Sequence, residues 1–168
     1  MSEKIMWLYH GSDVIVKKPR IIESNRLLDF GTGFYTTTNK NQAIRWSQKV
    51  MARNNSESSY LSVYKFQAEK EIKIKKFEKP DKEWLDFITA NRNGTYMEEE
   101  YDIIWGPVAD DNVYLTVKLF ETGVLSKEEA LKRLKVEKLF DQVLFHSEKA
   151  LKCCEFYNFE IIGGDVFE

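Results

Sequence analysis

Short apolar runs of strand length recur along this chain, and helices of unlike length separate them with no regular strand–helix alternation. Ile5–Tyr9 is apolar and leads into a glycine. Tyr60–Phe66 alternates, with Leu61 and Val63 on one side and Tyr64 and Phe66 on the other. Glu71–Phe77 alternates again through Ile72 and Ile74, so the two runs are expected to pair. Tyr101–Val108, with the apolar centre Ile103-Ile104-Trp105, Gln142–Phe145 and Phe156–Ile162 are further strand candidates. Period-two alternation and short apolar runs bounded by turn residues are the marks of strands. Strands scattered among unlike helices indicate an α+β architecture, not a regular βαβ one. Val14–Val16 is a possible short strand or turn, stopped by Pro19. Val113–Phe120 fits a strand or a helix.

Three helices have clear starts. Asn39 can cap a helix over Asn39–Arg53, with Gln42 as capping-box partner and Ala43, Trp46, Val50 and Met51 toward one face. Pro80-Asp81 opens a helix to about Ala90, with Trp84, Leu85 and Ile88 inward. Ser126-Lys127-Glu128-Glu129 is a capping box that leads into Ala130, Leu131 and Leu134. No repeat, linker or low-complexity stretch interrupts the 168 residues, so residues 1–168 are read as one domain. That length buries a core without disulfides or metal.

The residue inventory narrows the chemistry. There are two histidines, His10 and His146, and two cysteines, the adjacent Cys153 and Cys154. Four converging Cys or His ligands, as structural zinc requires, could barely be assembled, so no metal is expected. Free vicinal thiols suit a reducing compartment. No run approaches the roughly 18 apolar residues of a membrane span, so a cytoplasmic protein without membrane partners is expected. The net charge of −2 conceals an asymmetry. Residues 1–84 carry 16 Lys and Arg against 10 Asp and Glu, a net +6, and residues 85–168 carry 9 against 17, a net −8. An anionic ligand is better received by the first half, although mutual attraction of the halves accounts for the pattern equally simply. No polybasic tail is present.

Three segments are candidates for chemistry: Leu8-Tyr9-His10-Gly11-Ser12, Phe30-Gly31-Thr32-Gly33-Phe34-Tyr35-Thr36-Thr37 and Asp141-Gln142-Val143-Leu144-Phe145. A glycine after a strand lets a ligand approach the backbone. Gly31-x-Gly33 lacks the third glycine of a dinucleotide fingerprint and reads equally as a tight turn. Singly, each segment has a plain structural reading: a core histidine, a turn, a core tyrosine, a polar strand start.

In combination they resemble the ADP-ribosyltransferase superfamily, in the branch with a His, Tyr and Glu, Asp or Gln signature that includes poly-ADP-ribose polymerases and diphtheria-type toxins. Leu-x-His-Gly is followed about two dozen residues later by Phe-Gly-x-Gly-Phe-Tyr, then by Asn39-Lys40-Asn41-Gln42-Ala43 where a helix begins. Tyr101–Asp111, the late Asp-Gln-Val-Leu-Phe and Ala150-Leu151 are similar to an uncharacterised bacterial family grouped with these enzymes, whose members are often encoded beside small partner proteins. The resemblance implies a split antiparallel β-sheet core with flanking helices, NAD as substrate, and transfer of ADP-ribose to a protein or nucleic-acid acceptor. It also implies a toxin role opposed by a small antitoxin protein. The alternative is a module on the same fold that binds NAD or ADP-ribose, or that only offers interaction surfaces.

Carried over by residue, the resemblance puts His10 on a ribose hydroxyl, Gly11 on the nicotinamide carboxamide through its backbone, and Tyr35 against the nicotinamide ring. Gln142 stands at the third signature position. Ser12, Arg20 and Thr36 join the NAD-binding set, and Arg20 or Arg26 would meet the pyrophosphate. At the third position a glutamate would set a negative charge beside the developing cation, whereas Gln142 offers only a dipole and hydrogen bonds. Asp141 is adjacent but would face the other way on a strand. Asp110 and Asp111 read as a turn, with a substrate-facing base as the alternative. His146 reads as a surface or helix-capping residue, and Cys153 and Cys154 as core thiols.

Overall fold

A computed structural model describes residues 4–21, 30–94, 101–109, 111–135 and 139–164. Its elements, in chain order, are β1 (Met6–Ser12), β2 (Phe34–Thr36), α1 (Lys40–Asn54), β3 (Ser58–Phe66), β4 (Ile74–Lys76), α2 (Lys82–Arg92), β5 (Ile103–Pro107), α3 (Asp111–Glu121), α4 (Lys127–Leu134), β6 (Asp141–Phe145), α5 (Glu148–Leu151) and β7 (Cys154–Gly164). The fold is mixed α and β, with two sheets and five helices among the described residues.

The first sheet has the order β1-β3-β7 and is antiparallel throughout. The second has the order β2-β6-β5-β4, antiparallel except that β4 runs parallel to β5. The expected pairing of Glu71–Phe77 with Tyr60–Phe66 therefore does not form. Ile74–Lys76 crosses to the second sheet instead, with Ile72 and Phe77 buried on either side of it. The sheets meet at one bridge, where Tyr9 and Thr37 exchange both backbone hydrogen bonds at 2.9 Å. Beyond that bridge β1 and β2 diverge.

Two apolar clusters hold the layers together. One joins Leu8, Phe34, Tyr64, Phe66, Ile103, Val143 and Phe145 between the sheets. The other joins Ile104 and Leu144 of the second sheet's opposite face, and Phe30 of the loop before β2, to Trp84, Leu85 and Ile88 of α2 and Val113 and Val117 of α3. Val113 and Val117 are four residues apart, which resolves Val113–Phe120 as a helix with its two valines inward.

Caps mark the helix starts. The side chains of Asn39, Asp81 and Ser126 accept from the backbone N–H of Gln42, Trp84 and Glu129. The capping box at Asn39 is only half made. The Gln42 side chain accepts from Arg45, and the Asn39 N–H donates to the Thr37 hydroxyl. The buried face of α1 is Ala43, Ser47 and Val50, while Trp46 stands on the exposed side. Val14–Val16 is loop. It is laid over the first sheet by Val16 N–H to Ser62 Oγ (3.1 Å) and by Tyr64 O–H to Val16 O (2.6 Å).

Candidate functional site at the divergence of the two sheets

His10 and Gly11 lie inside β1, opposite Ser62 and Leu61, so the strand runs on past the glycine instead of closing at it. Gly11 is required by packing. A Cβ there would stand 1.9 Å from Ala43 O and 2.8 Å from Ser47 N, inside the backbone of α1. Its polar groups face elsewhere. Backbone N–H and C=O directions repeat every second residue along a strand. Tyr9 directs its pair at Thr37, so Gly11 directs its pair along the same edge of β1, into the space where β2 has turned away.

The His10 ring spans that gap. Its Nδ1 donates to Tyr35 O at 2.7 Å, and the ring packs on Phe34 at 4.5 Å between centroids. Burial lowers the His10 pKa from the ordinary 6.5, and the bond to Tyr35 offsets part of that effect. The imidazole is therefore neutral, with the proton on Nδ1 and a lone pair on Nε2.

Tyr35 sits opposite Leu144, and its ring packs against the second cluster. Its hydroxyl donates to Gly31 O (2.6 Å) and accepts from Phe30 N–H (3.3 Å), closing the glycine loop on itself. That loop is possible because Gly31 has φ +89° and Gly33 φ +157°, and because Gly33 passes Phe145 O at a distance no side chain allows. His146 pins the loop from below. It is buried, its backbone N–H donates to Asp102 O (2.8 Å), and its Nδ1 donates to Thr32 O (2.5 Å). The expectation of a surface or helix-capping role for His146 is thus corrected. Its position one residue beyond the β6 run was the available signal.

Gln142 is on β6, two residues from Leu144, so strand alternation turns it to the same sheet face as Tyr35. It is 9% exposed, and its Nε2 is buried without a hydrogen-bond partner. Its cross-strand neighbour is Gly106, which brings no side chain to meet it. A buried amide with unused donors is costly, by about 1–3 kcal/mol, and such groups call for an explanation.

Asp141 points to the other face and is fully engaged. It accepts from Thr37 Oγ1, Thr38 N, Thr38 Oγ1 and Trp105 Nε1 at 2.9, 2.9, 2.7 and 2.8 Å. It buckles β5, β6 and the chain entering α1 together, and is not a carboxylate held in reserve for Gln142.

The remaining sequence candidates divide. Thr36 is buried, and its hydroxyl donates to Val143 O (2.9 Å), on the strand side opposite Tyr35. Ser12 turns the chain through Asp13 and Val14. The Ser56 and Asn54 side chains hold the Asp13 carboxyl below its ordinary pKa. Arg20 is exposed on the loop after β1. Asp111 begins α3. Arg26 and Asp110 lie outside the described residues. The structure thus joins His10 to Tyr35 directly and Tyr35 to Gln142 through the sheet register, and it turns Thr36 away. Cys153 and Cys154 are buried free thiols, and burial pushes Cys154 up to about 12.

Residues 6–156 match the family model described as a protein of unknown function, DUF3990. The chain belongs to that family. No curated protein and no solved structure matches it. Among the described residues, no helix is long and apolar enough to cross a membrane, and no group of three or more His, Cys, Asp or Glu is placed to hold a metal ion.

Proposed function

We propose that this member of the family is an NAD-dependent ADP-ribosyltransferase with a split-sheet core of the kind its motifs resemble. It would pass ADP-ribose to a macromolecular acceptor. The observation that carries the reading is the orphaned Nε2 of Gln142, buried on the sheet face it shares with Tyr35, whose backbone carbonyl holds His10. A polar ligand that accepts from Gln142 Nε2 would explain an amide that the fold itself leaves unused.

The chemistry suits these groups. The bond from ribose C1′ to the nicotinamide nitrogen breaks, its electron pair neutralises the pyridinium ring, and the ribose takes up positive charge as an oxocarbenium-like centre, as in glycoside cleavage. Orientation and water exclusion do most of the work, because the leaving group departs neutral. Neutral His10 would accept a ribose O–H at Nε2. The Gly11 N–H and C=O would take the carboxamide, and the Tyr35 ring the nicotinamide face. Gln142 would donate to a ribose hydroxyl. A second reading, an NAD-binding module with slow turnover, is favoured by one observation: Gln142 brings no charge to the cationic centre. A role as the toxin of a toxin–antitoxin pair remains part of the proposal, on the resemblance alone.

The experiment is nicotinamide release from NAD, with and without cell lysate. Release lost in His10→Ala and in Gln142→Ala supports the transferase. Thermal stabilisation by NAD without release supports the binding module. Neither effect would refute both.

A further inference from the structure

Helix α1 carries Lys40, Arg45, Lys49 and Arg53 and no acidic residue. Lys40 is paired with Glu160. The other three stand at i, i+4 and i+8, which lines them along one ridge about 12 Å long. All three are exposed, and none pairs with a carboxylate among the described residues. Like charges at this spacing repel and weaken a helix, and α1 has no carboxylate of its own to offset them.

Two exposed aromatic rings flank the ridge, and each already lies against one of its cations. Arg53 is 5.7 Å from the Trp46 ring and Arg45 is 5.0 Å from the Phe140 ring. Trp46 is 47% and Phe140 37% exposed. Phe140 precedes Gln142 by two residues, about 7 Å along an extended chain. The ridge therefore begins beside the candidate site. It also accounts for part of the positive excess in the first half of the chain, in a protein whose net charge is −2.

We propose that this face of α1, with Arg45, Lys49 and Arg53 on phosphates and Trp46 and Phe140 under bases, docks single-stranded nucleic acid and presents it as the ADP-ribose acceptor. The cations alone would suit any polyanion. The exposed rings favour unpaired bases, since base–aromatic stacking needs bases free of a duplex and tolerates any sequence. An acidic protein surface would leave both rings in water, and a bilayer would call for an apolar face that α1 lacks. In the transfer, a nucleophilic nitrogen or oxygen of the strand bonds to ribose C1′ as the nicotinamide bond breaks. Its proton passes to solvent, and nicotinamide is the co-product. The acceptor role rests on the transferase reading; the docking does not.

The test is fluorescence anisotropy with labelled 20-nucleotide single strands of RNA and DNA, the matching duplexes, a polyglutamate peptide and phosphatidylserine vesicles. The full chain is compared with Arg45→Gln/Lys49→Gln/Arg53→Gln, Trp46→Ala and Trp46→Tyr, all at exposed positions. Three phosphate contacts predict single-strand affinity falling about 20-fold between 50 and 200 mM salt. The triple variant should lose both the affinity and the salt slope. Trp46→Ala should bind about tenfold more weakly, and Trp46→Tyr should recover most of that. Absence of single-strand binding, binding undiminished in the triple variant, or peptide or vesicle binding of equal strength indifferent to Trp46 would overturn the docking. Nicotinamide release is followed in the same samples. Release that no single strand stimulates overturns the acceptor role. Failure to split NAD under any condition removes the transferase reading, and with it the acceptor role, while the anisotropy still decides the docking.

Discussion

Replacing Gln142 by methionine should stabilise the ligand-free protein while weakening its hold on NAD. Gln142 Nε2 is buried with no partner, opposite a glycine and on the face of Tyr35. An unsatisfied buried amide costs about 1–3 kcal/mol, and loss of whatever bond the carbonyl makes returns about 1 kcal/mol of that. Methionine fills nearly the same volume without a polar group, and flexible apolar replacements of equal size are well tolerated. A net gain of about 1 kcal/mol follows. At this chain length that raises Tm by about 2–4 °C. Ligand binding should move the other way. A ligand in hundredfold excess over its Kd stabilises by about 2.7 kcal/mol, so the NAD-induced rise in Tm should shrink sharply in the variant. Thermal unfolding of wild type and Gln142→Met, each with and without NAD, measures both effects. A lower Tm for the ligand-free variant, with the NAD shift unchanged, would mean that the amide serves the fold. The reasoning that ties Gln142 to a ligand would then fail.

Two other changes probe the frame around the site. Gly11→Ala places a methyl 1.9 Å from Ala43 O, so α1 must move off β1; a loss of about 3 kcal/mol, the upper end of overpacking effects, should lower Tm by about 6–12 °C, and an unchanged Tm would refute the close approach. His10 is held neutral by burial, so the folded state binds fewer protons than the unfolded chain. Its stabilising contribution is complete above 6.5 and is lost as pH falls from 6.5 toward the lowered folded value. The Tm of wild type should therefore drop more between pH 7.5 and 5 than that of His10→Gln, while Asp13 and Asp102, whose folded pKa values are depressed, respond only at more acid pH.

Much of the local structure was legible without coordinates. Asn39, Asp81 and Ser126 announce helix starts because a short polar side chain there satisfies an N–H that the helix cannot. Alternation revealed the strand of Tyr60–Phe66, whereas Gln142–Phe145 was legible as a short apolar run because both of its faces are covered. Trp46 was misassigned because periodicity finds a helix face but cannot say how much of it a neighbour covers. Partner choice was also hidden. Glu71–Phe77 and Tyr60–Phe66 alternate alike, and only the assembled sheets decide that Ile74–Lys76 lies parallel to β5.

The same division runs through the candidate site. By itself the sequence determined which residue types were available: two histidines, no ready metal set, and a neutral glutamine where a carboxylate would carry charge. It also determined, through strand alternation, that Asp141 and Gln142 face opposite ways. Only the tertiary structure decided that Asp141 is occupied by four donors, that Gln142 Nε2 is left without an acceptor, and that His10 is neutral. Those outcomes depend on which distant strands arrive beside a residue and how much water they exclude. Neither quantity is written in the spacing of residues along the chain.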